Sequence, residues 1–224
     1  MENTSTYLVV CPHCGATKRI AFSNIRWNKV NYTFWSDSRI ESTEWCEPAW
    51  TQLCPSCNRF FTLPPKSSLK VENVPCEDTG ALSYQTLKQA IAELSGEMPA
   101  EPNARLEAWW AYNRQYAGMT KAEIPNEEKD FNRSNMEWLV DYLSKETQVS
   151  YSLLFELQRL LGNIDEYKKL LDSLTFERFC EWRNERSQTE DLPKLDDEQI
   201  RHRYEQFIEE KKKAFDKPLK PYKQ

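Results

Sequence analysis

The sequence predicts an α+β protein in which a small β-rich segment with paired cysteines precedes a mainly helical region. Two Cys-x2-Cys pairs lie within residues 1–64, among short runs of β-branched and aromatic residues, and apolar residues recur at helical spacing after Gly80. We therefore predict three parts: a cysteine-bearing domain at residues 1–64, a polar linker at 65–80 and a helical domain at 81–224.

The two cysteine pairs carry the strongest chemical signal in the chain. "CPHCG" contains Cys11 and Cys14, and "CPSCN" contains Cys54 and Cys57, with 39 residues between the pairs. Two short turns of this kind place four thiolates around one tetrahedral ion, and closely spaced cysteines in a reducing cytosol are more often metal ligands than disulfides. The sequence therefore predicts a structural Zn²⁺ site with these four cysteines as its ligands.

The residues that follow each pair favour a zinc knuckle over a redox dithiol. Gly15 and Asn58 come directly after the second cysteine of each pair, and both residue types tolerate the positive φ angle that such a turn requires. A redox Cys-x2-Cys motif begins a helix, whose amino end lowers the thiol pKa. The run "GATKRIAF" after Cys14 is instead typical of a turn into a strand.

Two further residues compete for a place in the metal shell. His13 lies between Cys11 and Cys14, and Cys46 lies in the insertion between the two pairs. Because four cysteines complete a tetrahedral shell, we expect His13 to be an exposed turn residue and Cys46 a buried small side chain, with a change of ligand left open. The closed shell leaves no position for water or substrate, so we expect no catalysis at this metal.

The sequence contains no recognisable catalytic constellation. It has no phosphate-binding glycine loop and no Gly-x-Ser-x-Gly turn, and the second histidine, His202, lies in a strongly charged helical stretch. Cys76 and Cys180 are isolated in the sequence, and we expect them to be inert. We therefore predict a protein that is not an enzyme, and an enzymatic site among the helices is the least supported alternative.

The cysteine-bearing segment is predicted to contain four strands, at residues 7–10, 19–22, 31–35 and 59–63. Six aromatic residues crowd the insertion between the pairs: Trp27, Tyr32, Phe34, Trp35, Trp45 and Trp50. Exposed aromatic rings beside basic residues stack on nucleic-acid bases, but a small metal domain also needs large side chains to form a core. We expect packing, because the net charge of residues 1–64 is close to zero.

The remainder of the chain is predicted to form seven helices. Ser83 and Asn103 are expected to cap the first two, and the fourth is expected to end at Gly162. The sixth and seventh helices are predicted at residues 176–186 and from about 198 to 215, where apolar residues again recur at helical spacing.

The order of these motifs resembles that of uncharacterised bacterial zinc-ribbon proteins. The resemblance covers most of residues 8–175 and rests on a Cys-Pro-x-Cys-Gly knuckle, Trp35-Ser36-Asp37, a second knuckle followed by Phe60 and Phe61, "WWAYNR" and "LQRLLGNIDEYKKLLDSL". Ser38 stands where that group leads us to expect glycine. The resemblance implies a zinc ribbon joined to helices and implies no activity.

Residues 153–174 also resemble one helical hairpin of the tetratricopeptide type, because "LLGNIDEYKKLL" gives a Leu-Gly turn, acidic residues and a second amphipathic helix in the expected order. One hairpin is not stable alone, so the neighbouring helices would have to complete this region.

These predictions together favour an interaction or scaffold protein, whose tetratricopeptide-like helices receive another protein or a peptide. The alternative is a nucleic-acid-associated regulator that uses the zinc ribbon and the basic carboxy-terminal helix "RHRYEQFIEEKKKAF". No apolar run is long enough to span a membrane and no secretion signal is evident at the start, so we expect no membrane partner and a cytoplasmic location.

Overall fold

The structure is a computed structural model that describes residues 4–23, 33–41, 48–72, 74, 76, 78–146, 150–189, 195–214 and 217, without the side chains of residues 34, 40, 182 and 184–189. The described residues form seven short strands and seven α-helices, with a 3-10 helix (Lys66–Ser68) before the last strand, and all the strands precede the α-helices, as the predicted α+β class requires. The strands are β1 (Thr4–Val10), β2 (Thr17–Ser23), β3 (Thr33–Phe34), β4 (Ile40–Glu41), β5 (Thr51–Leu53), β6 (Phe60–Thr62) and β7 (Lys70–Glu72). The helices are α1 (Tyr84–Glu93), α2 (Ala100–Gln115), α3 (Asn126–Lys145), α4 (Tyr151–Leu161), α5 (Ile164–Ser173), α6 (Phe176–Thr189) and α7 (Asp197–Lys213).

The longest strands form a three-stranded antiparallel sheet in the order β2, β1, β7. Tyr7 of β1 lies opposite Ile20 of β2 and Val71 of β7, which sets the register of the sheet. Val9 and Ile20 are fully buried, because alternate residues of a strand point to the same face and this face covers a small core. The strands β3 and β4 form one two-stranded hairpin, and β5 and β6 form another.

Four of these strands lie where the sequence predicts them, and three were not predicted. β1, β2, β3 and β6 overlap the predicted runs at residues 7–10, 19–22, 31–35 and 59–63. The unpredicted strands β4, β5 and β7 have two or three residues each, which is too short for an alternating pattern to be visible. β7 lies within residues 65–80, the stretch that the sequence predicts as a linker.

By their contacts, the described residues divide into two compact units. Unit 1 comprises the described residues within 4–35 and 39–135, and unit 2 comprises those within 36–38 and 136–217. The predicted domain boundaries at residues 64 and 81 stay predictions. Within unit 1, α1 and α2 pack together around a core of alanine, larger aliphatic and aromatic side chains that includes Tyr84, Leu87 and Ala104.

The caps of α1 and α2 show one correct prediction and one wrong one. The hydroxyl of Ser83 accepts a hydrogen bond from the backbone N–H of Thr86, as predicted for the start of α1. Asn103 does not cap α2, because that helix begins three residues earlier, at Ala100. Pro102 fits in the first helical turn, where its missing N–H has no intrahelical partner to lose.

Unit 2 has an aromatic core formed by its helices. Phe155 of α4, Tyr167 of α5 and Phe179 of α6 are buried, and the ring centroids of Phe155 and Tyr167 lie 5.0 Å apart. Gly162 ends α4 in the left-handed conformation, with φ of 77°, as the sequence predicts. The compact α4–α5 hairpin agrees with the predicted pair of helices, and its membership of the tetratricopeptide type stays a prediction.

Buried charges accompany this aromatic core. Glu156 accepts hydrogen bonds from Nε and Nη2 of Arg159, at 2.9 and 2.8 Å, and one from the hydroxyl of Ser36 at 2.5 Å. Lys211 of α7 is also buried, with its Nζ 5.2 Å from the centroid of the Phe207 ring. Burial lowers the pKa of Lys211 below its ordinary value.

The turn at residues 36–38 contains a backbone conformation that favours glycine. Ser38 has φ of 63°, which places it in the left-handed region. The resemblance to zinc-ribbon proteins leads us to expect glycine at this position, and the backbone conformation gives the physical reason for that expectation.

Candidate metal centre

The fold brings the two cysteine pairs together. Cys11 and Cys14 lie at the turn that joins β1 to β2, and Cys54 and Cys57 lie at the turn that joins β5 to β6. The four Sγ atoms all lie within 4.8 Å of one another. Two pairs that are separated by 39 residues in the sequence therefore form one cluster, as the repeated motif predicts.

The two cysteine turns have the same backbone hydrogen bonds. In the first turn, the N–H of Gly15 donates to the carbonyl of Cys11 at 3.0 Å, and in the second the N–H of Asn58 donates to the carbonyl of Cys54 at 2.9 Å. Gly15 and Asn58 both adopt positive φ angles, 74° and 58°. The sequence prediction for these two positions is confirmed, because each residue permits the left-handed step that closes its turn.

Two sulfur–sulfur distances match the edge of a tetrahedral metal site, and all four cysteines are free of disulfides. Cys11 Sγ lies 3.8 Å from Cys57 Sγ, and Cys14 Sγ lies 3.7 Å from Cys54 Sγ. A disulfide requires about 2.05 Å between sulfurs, whereas a tetrahedron of sulfurs with metal–sulfur bonds of about 2.3 Å has edges of about 3.8 Å. The cysteines are thus arranged as two knuckles facing one central point.

Backbone N–H groups tune the charge on the sulfurs. Hydrogen bonds from the backbone N–H groups of Cys57 and Ser56 lower the pKa of Cys54 to about 6, against the cost of burial. Burial raises the pKa of Cys57 to about 12, although the backbone N–H of Arg59 acts in the opposite direction. Four adjacent thiols compete for negative charge, and a central cation removes this competition because it stabilises every thiolate.

The cluster is buried on one side and reaches solvent on the other. Cys11 and Cys54 belong to the small core beneath the sheet, together with Val9, Ile20 and Phe61. Cys14 is exposed and Cys57 is half-buried. The side of the cluster formed by Cys14 and Cys57 is therefore accessible to solvent, while Cys11 and Cys54 are packed in the core.

His13 lies outside the four-sulfur cluster. Its Nε2 lies 2.9 Å from the backbone carbonyl oxygen of Phe60, which follows the second knuckle. This hydrogen bond joins the first knuckle to β6 and gives the exposed histidine a position between the two cysteine turns. The expectation that His13 is a turn residue agrees with this geometry.

Of the three remaining cysteines, the structure describes Cys76 and Cys180. Cys46 lies outside the described residues, so its predicted position stays a prediction. Cys76 is half-buried and its Sγ lies 3.5 Å from the carbonyl oxygen of Arg19, and Cys180 lies on α6. Among the described residues, neither Cys76 nor Cys180 belongs to the metal-compatible cluster.

The redox alternative loses its structural support because each cysteine pair is followed by a strand. β2 begins at Thr17, after Cys14, and β6 begins at Phe60, after Cys57. A reactive dithiol of the redox type depends on a helix amino terminus to stabilise its thiolate. Among the described residues, no helix begins at either cysteine pair.

Two carboxylates that the sequence did not single out hold the β5–β6 hairpin, whose turn is the second knuckle. Glu107 of α2 accepts hydrogen bonds from the backbone N–H groups of Trp50 and Thr51, at 2.5 and 3.2 Å. Glu93 of α1 accepts one from the N–H of Phe60 at 3.2 Å. No local pattern marks these residues, because a carboxylate on a helix surface is common and its distant partner is invisible in the sequence.

The structure describes part of the aromatic-rich insertion between the two cysteine pairs. Trp50 lies against Trp110 of α2, with ring centroids 5.7 Å apart, and the guanidinium of Arg39 lies 4.6 Å from the ring centroid of Trp35. These contacts agree with the expected packing role. Trp27, Tyr32 and Trp45 lie outside the described residues, and the side chain of Phe34 is not described.

Comparison of the chain with family models, with curated proteins and with solved structures gave no match. Fold and site therefore define the class: an α+β protein with two facing cysteine knuckles and a helical carboxy-terminal region.

Within the described part of the chain, none of the helices is long and apolar enough to cross a membrane. His202 is exposed on α7, where its Nε2 lies 3.0 Å from the side-chain nitrogen of Gln206.

Proposed function

We propose that this chain is a zinc-binding protein without enzymatic activity, in which Zn²⁺ joins the two knuckles and the helices bind another protein or a peptide. The observation that carries the zinc proposal is the pair of sulfur–sulfur distances across the knuckles, 3.7 and 3.8 Å, combined with their matching backbone turns. These distances equal the edge of a tetrahedral four-thiolate site within about 0.1 Å.

The ligand set supports a structural role for the metal. Four thiolates in a tetrahedron are typical of zinc or iron, and zinc needs no redox partner or electron path. The four sulfurs fill the shell, so the metal would have no open position for water activation. Zinc would act as a cross-link between β1–β2 and β5–β6, which belong to two different sheets and are therefore not joined by strand pairing.

Metal analysis of the purified protein tests this proposal. We expect about one zinc per chain, loss of that zinc in Cys11→Ser and Cys54→Ser, and full retention in the matched control Cys76→Ser, whose sulfur lies outside the cluster. Replacement of zinc by Co²⁺ should give the visible spectrum of a tetrahedral four-thiolate complex. Iron in place of zinc, or a reduced protein that binds no metal, would contradict the zinc assignment.

Charge pairing supports a protein or peptide partner over nucleic acid. Three cations of the ribbon are already engaged: Lys18 with Asp78, Arg19 with Glu72 and Arg59 with Glu93. Non-specific nucleic-acid binding depends on cations that are available to phosphates. We therefore propose the helical region, with its α4–α5 hairpin of tetratricopeptide-like order, as the part that receives the partner.

Two measurements separate these partner classes. Titration with duplex DNA and single-stranded RNA at low and high salt should give no salt-dependent binding if the proposal is right. Affinity purification from the native host, followed by reconstitution with the purified candidate, should give a protein complex of defined stoichiometry. Tight binding to nucleic acid that weakens steeply with salt would favour the nucleic-acid alternative.

A further inference from the structure

The β5–β6 hairpin connects the cysteine cluster with α1 and α2 inside unit 1. Its turn carries Cys54 and Cys57, and its two strands contact the helices. Each strand has three residues, and an isolated hairpin of this length is not stable in water. The stability of the hairpin therefore depends on the contacts of its turn with the cysteine cluster and on the contacts of its strands with the helices.

The flanks are held by a carboxylate from each helix. Glu107 of α2 accepts hydrogen bonds from the N–H groups of Trp50 and Thr51, at the start of β5. Glu93 of α1 accepts a hydrogen bond from the N–H of Phe60, at the start of β6, and its Oε1 lies 3.7 Å from Nε of Arg59. A backbone N–H group in a protein interior needs an acceptor, so these contacts hold the hairpin on the helices.

Two consecutive side chains of β6 join two cores. Phe60 packs in the core of α1 and α2, whose members include Leu87 and Ala108. Phe61 packs in the core of the sheet, which includes the buried Cys11 and Cys54. Neighbouring residues of a strand point in opposite directions, so any movement of β6 disturbs both cores at once.

The first knuckle is joined to the same strand. Nε2 of His13 lies 2.9 Å from the carbonyl oxygen of Phe60, while the N–H of Phe60 donates to Glu93. Phe60 is thus held by the first cysteine turn through its carbonyl, by α1 through its N–H and by the helical core through its ring.

We infer that the metal centre is a switch for α1 and α2: metal binding closes the β5–β6 hairpin, and the closed hairpin orders these two helices. This inference rests on the proposed metal site and adds the structural consequence of metal loss. Without the cross-link the short hairpin opens, Phe60 and Leu53 leave the helical core, and the two carboxylates lose their N–H donors. α1 has ten residues and is marginal as an isolated helix, so its order depends on this packing.

Amide hydrogen exchange on the full chain, with and without metal, tests the inference. Removal of the metal by a chelator should speed exchange in α1 and α2 by at least about tenfold, while α4 and α5 of unit 2 change by less than about twofold. Unchanged exchange in α1 and α2, despite faster exchange in β1 and β2, would overturn the inference. Equal acceleration in α4 and α5 would also overturn it, because the metal would then control the whole chain.

Variants of Glu93 and Glu107 test the connection between the hairpin and the two helices without removing a metal ligand. Both Glu107→Gln and Glu93→Gln should keep one metal per chain. Glu107→Gln should at least halve the metal-dependent change in hydrogen exchange of α2, and Glu93→Gln should do the same for α1. Glu97→Gln is the matched control, because Glu97 is an exposed carboxylate whose side chain makes no contact with the hairpin in the described residues. A full metal-dependent response in both test variants would contradict the carboxylate connection. A wild-type protein that binds no metal would contradict the proposed function instead.

Discussion

The ribbon part of unit 1 and the helical unit 2 are held together in different ways. The sheet core beneath the cysteine cluster contains four buried apolar residues besides the cysteines: Val9, Ile20, Phe22 and Phe61. Unit 2 instead has interlocking aromatic rings, in which Phe155 lies 5.0 Å from Tyr167 and 5.9 Å from Phe207. A small sheet buries little apolar surface, so under the proposed function it would depend on the metal cross-link, which a packed helical unit does not need.

The largest expected effect comes from breaking the cross-link. Cys54→Ser should abolish metal binding and unfold the ribbon, because structural zinc sites contribute about 10 kcal/mol or more to folding. Limited proteolysis of the full chain should then cut within residues 1–72 while a fragment containing α4 to α7 survives. Cys180→Ser is the control, and its fragmentation should match that of the unchanged protein.

The reciprocal change breaks the aromatic core. Phe155→Ala should lower the free energy of unfolding of unit 2 by about 3–5 kcal/mol, because it removes a buried ring and leaves a cavity. Denaturant unfolding monitored by exchange in α4 and α5 measures this loss. Metal content should stay at the wild-type value. Ile164→Ala is the control, because that side chain is 52% exposed and its loss should cost less than about 1 kcal/mol.

Each unit also contains an ionisable group whose pKa is shifted by burial, and the two shifts give opposite pH dependence. In unit 2, burial lowers the pKa of Lys211 below 10.5, so the unfolded chain binds more protons and unit 2 gains stability as pH rises towards 10.5. Lys211→Met should remove this slope and stabilise unit 2 by about 1–2 kcal/mol at neutral pH. Lys212→Met is the exposed neighbour for comparison and should leave the slope unchanged. A slope that persists in Lys211→Met would assign it to another group.

In unit 1, the stability falls instead of rising as pH increases. Burial raises the pKa of Glu107 from 4.5 to about 7, although N–H donors and Arg114 oppose this shift. The folded state therefore binds more protons between pH 4.5 and 7, and unit 1 loses about 1–3 kcal/mol as pH rises through this interval. Glu107→Gln should flatten that dependence, measured as the pH profile of exchange in α2. The same slope in Glu107→Gln as in the wild type would refute the assignment.

The smallest expected effect concerns backbone strain, which both units contain. Ser38 in unit 2 and Asn58 in unit 1 have φ of 63° and 58°. Ser38→Gly should stabilise its unit by up to about 1 kcal/mol, because glycine adopts this conformation without a side-chain clash. Asn58→Gly should gain less, since asparagine tolerates the left-handed region better than serine does. Thermal unfolding of the two variants would rank them, and a loss of stability in Ser38→Gly would disprove the strain argument.

Sequence reasoning succeeded where a structure is determined by close neighbours. The repeated "CP-x-C" turn, the glycine after Cys14 and the asparagine after Cys57 specify two knuckles, since each turn closes within five residues. Ser83 and Gly162 mark helix ends through contacts within one turn of the helix. Asn103 was wrongly predicted to cap α2 because asparagine is a common cap residue. Proline is also common in the first helical turn, and the spacing of the apolar residues did not show whether the helix begins before Pro102 or after Asn103.

By itself, the sequence determined the α+β class, the helical order and the four cysteines that meet, because periodicity and short motifs act over a few residues. Only the tertiary structure decided that Glu107 and Glu93 hold the second hairpin, that residues 36–38 belong with the later helices, and that Lys211 is buried. These features depend on which distant segments come together once the chain is compact. A charged side chain has the same appearance in the sequence whether it faces water or a backbone N–H from another strand.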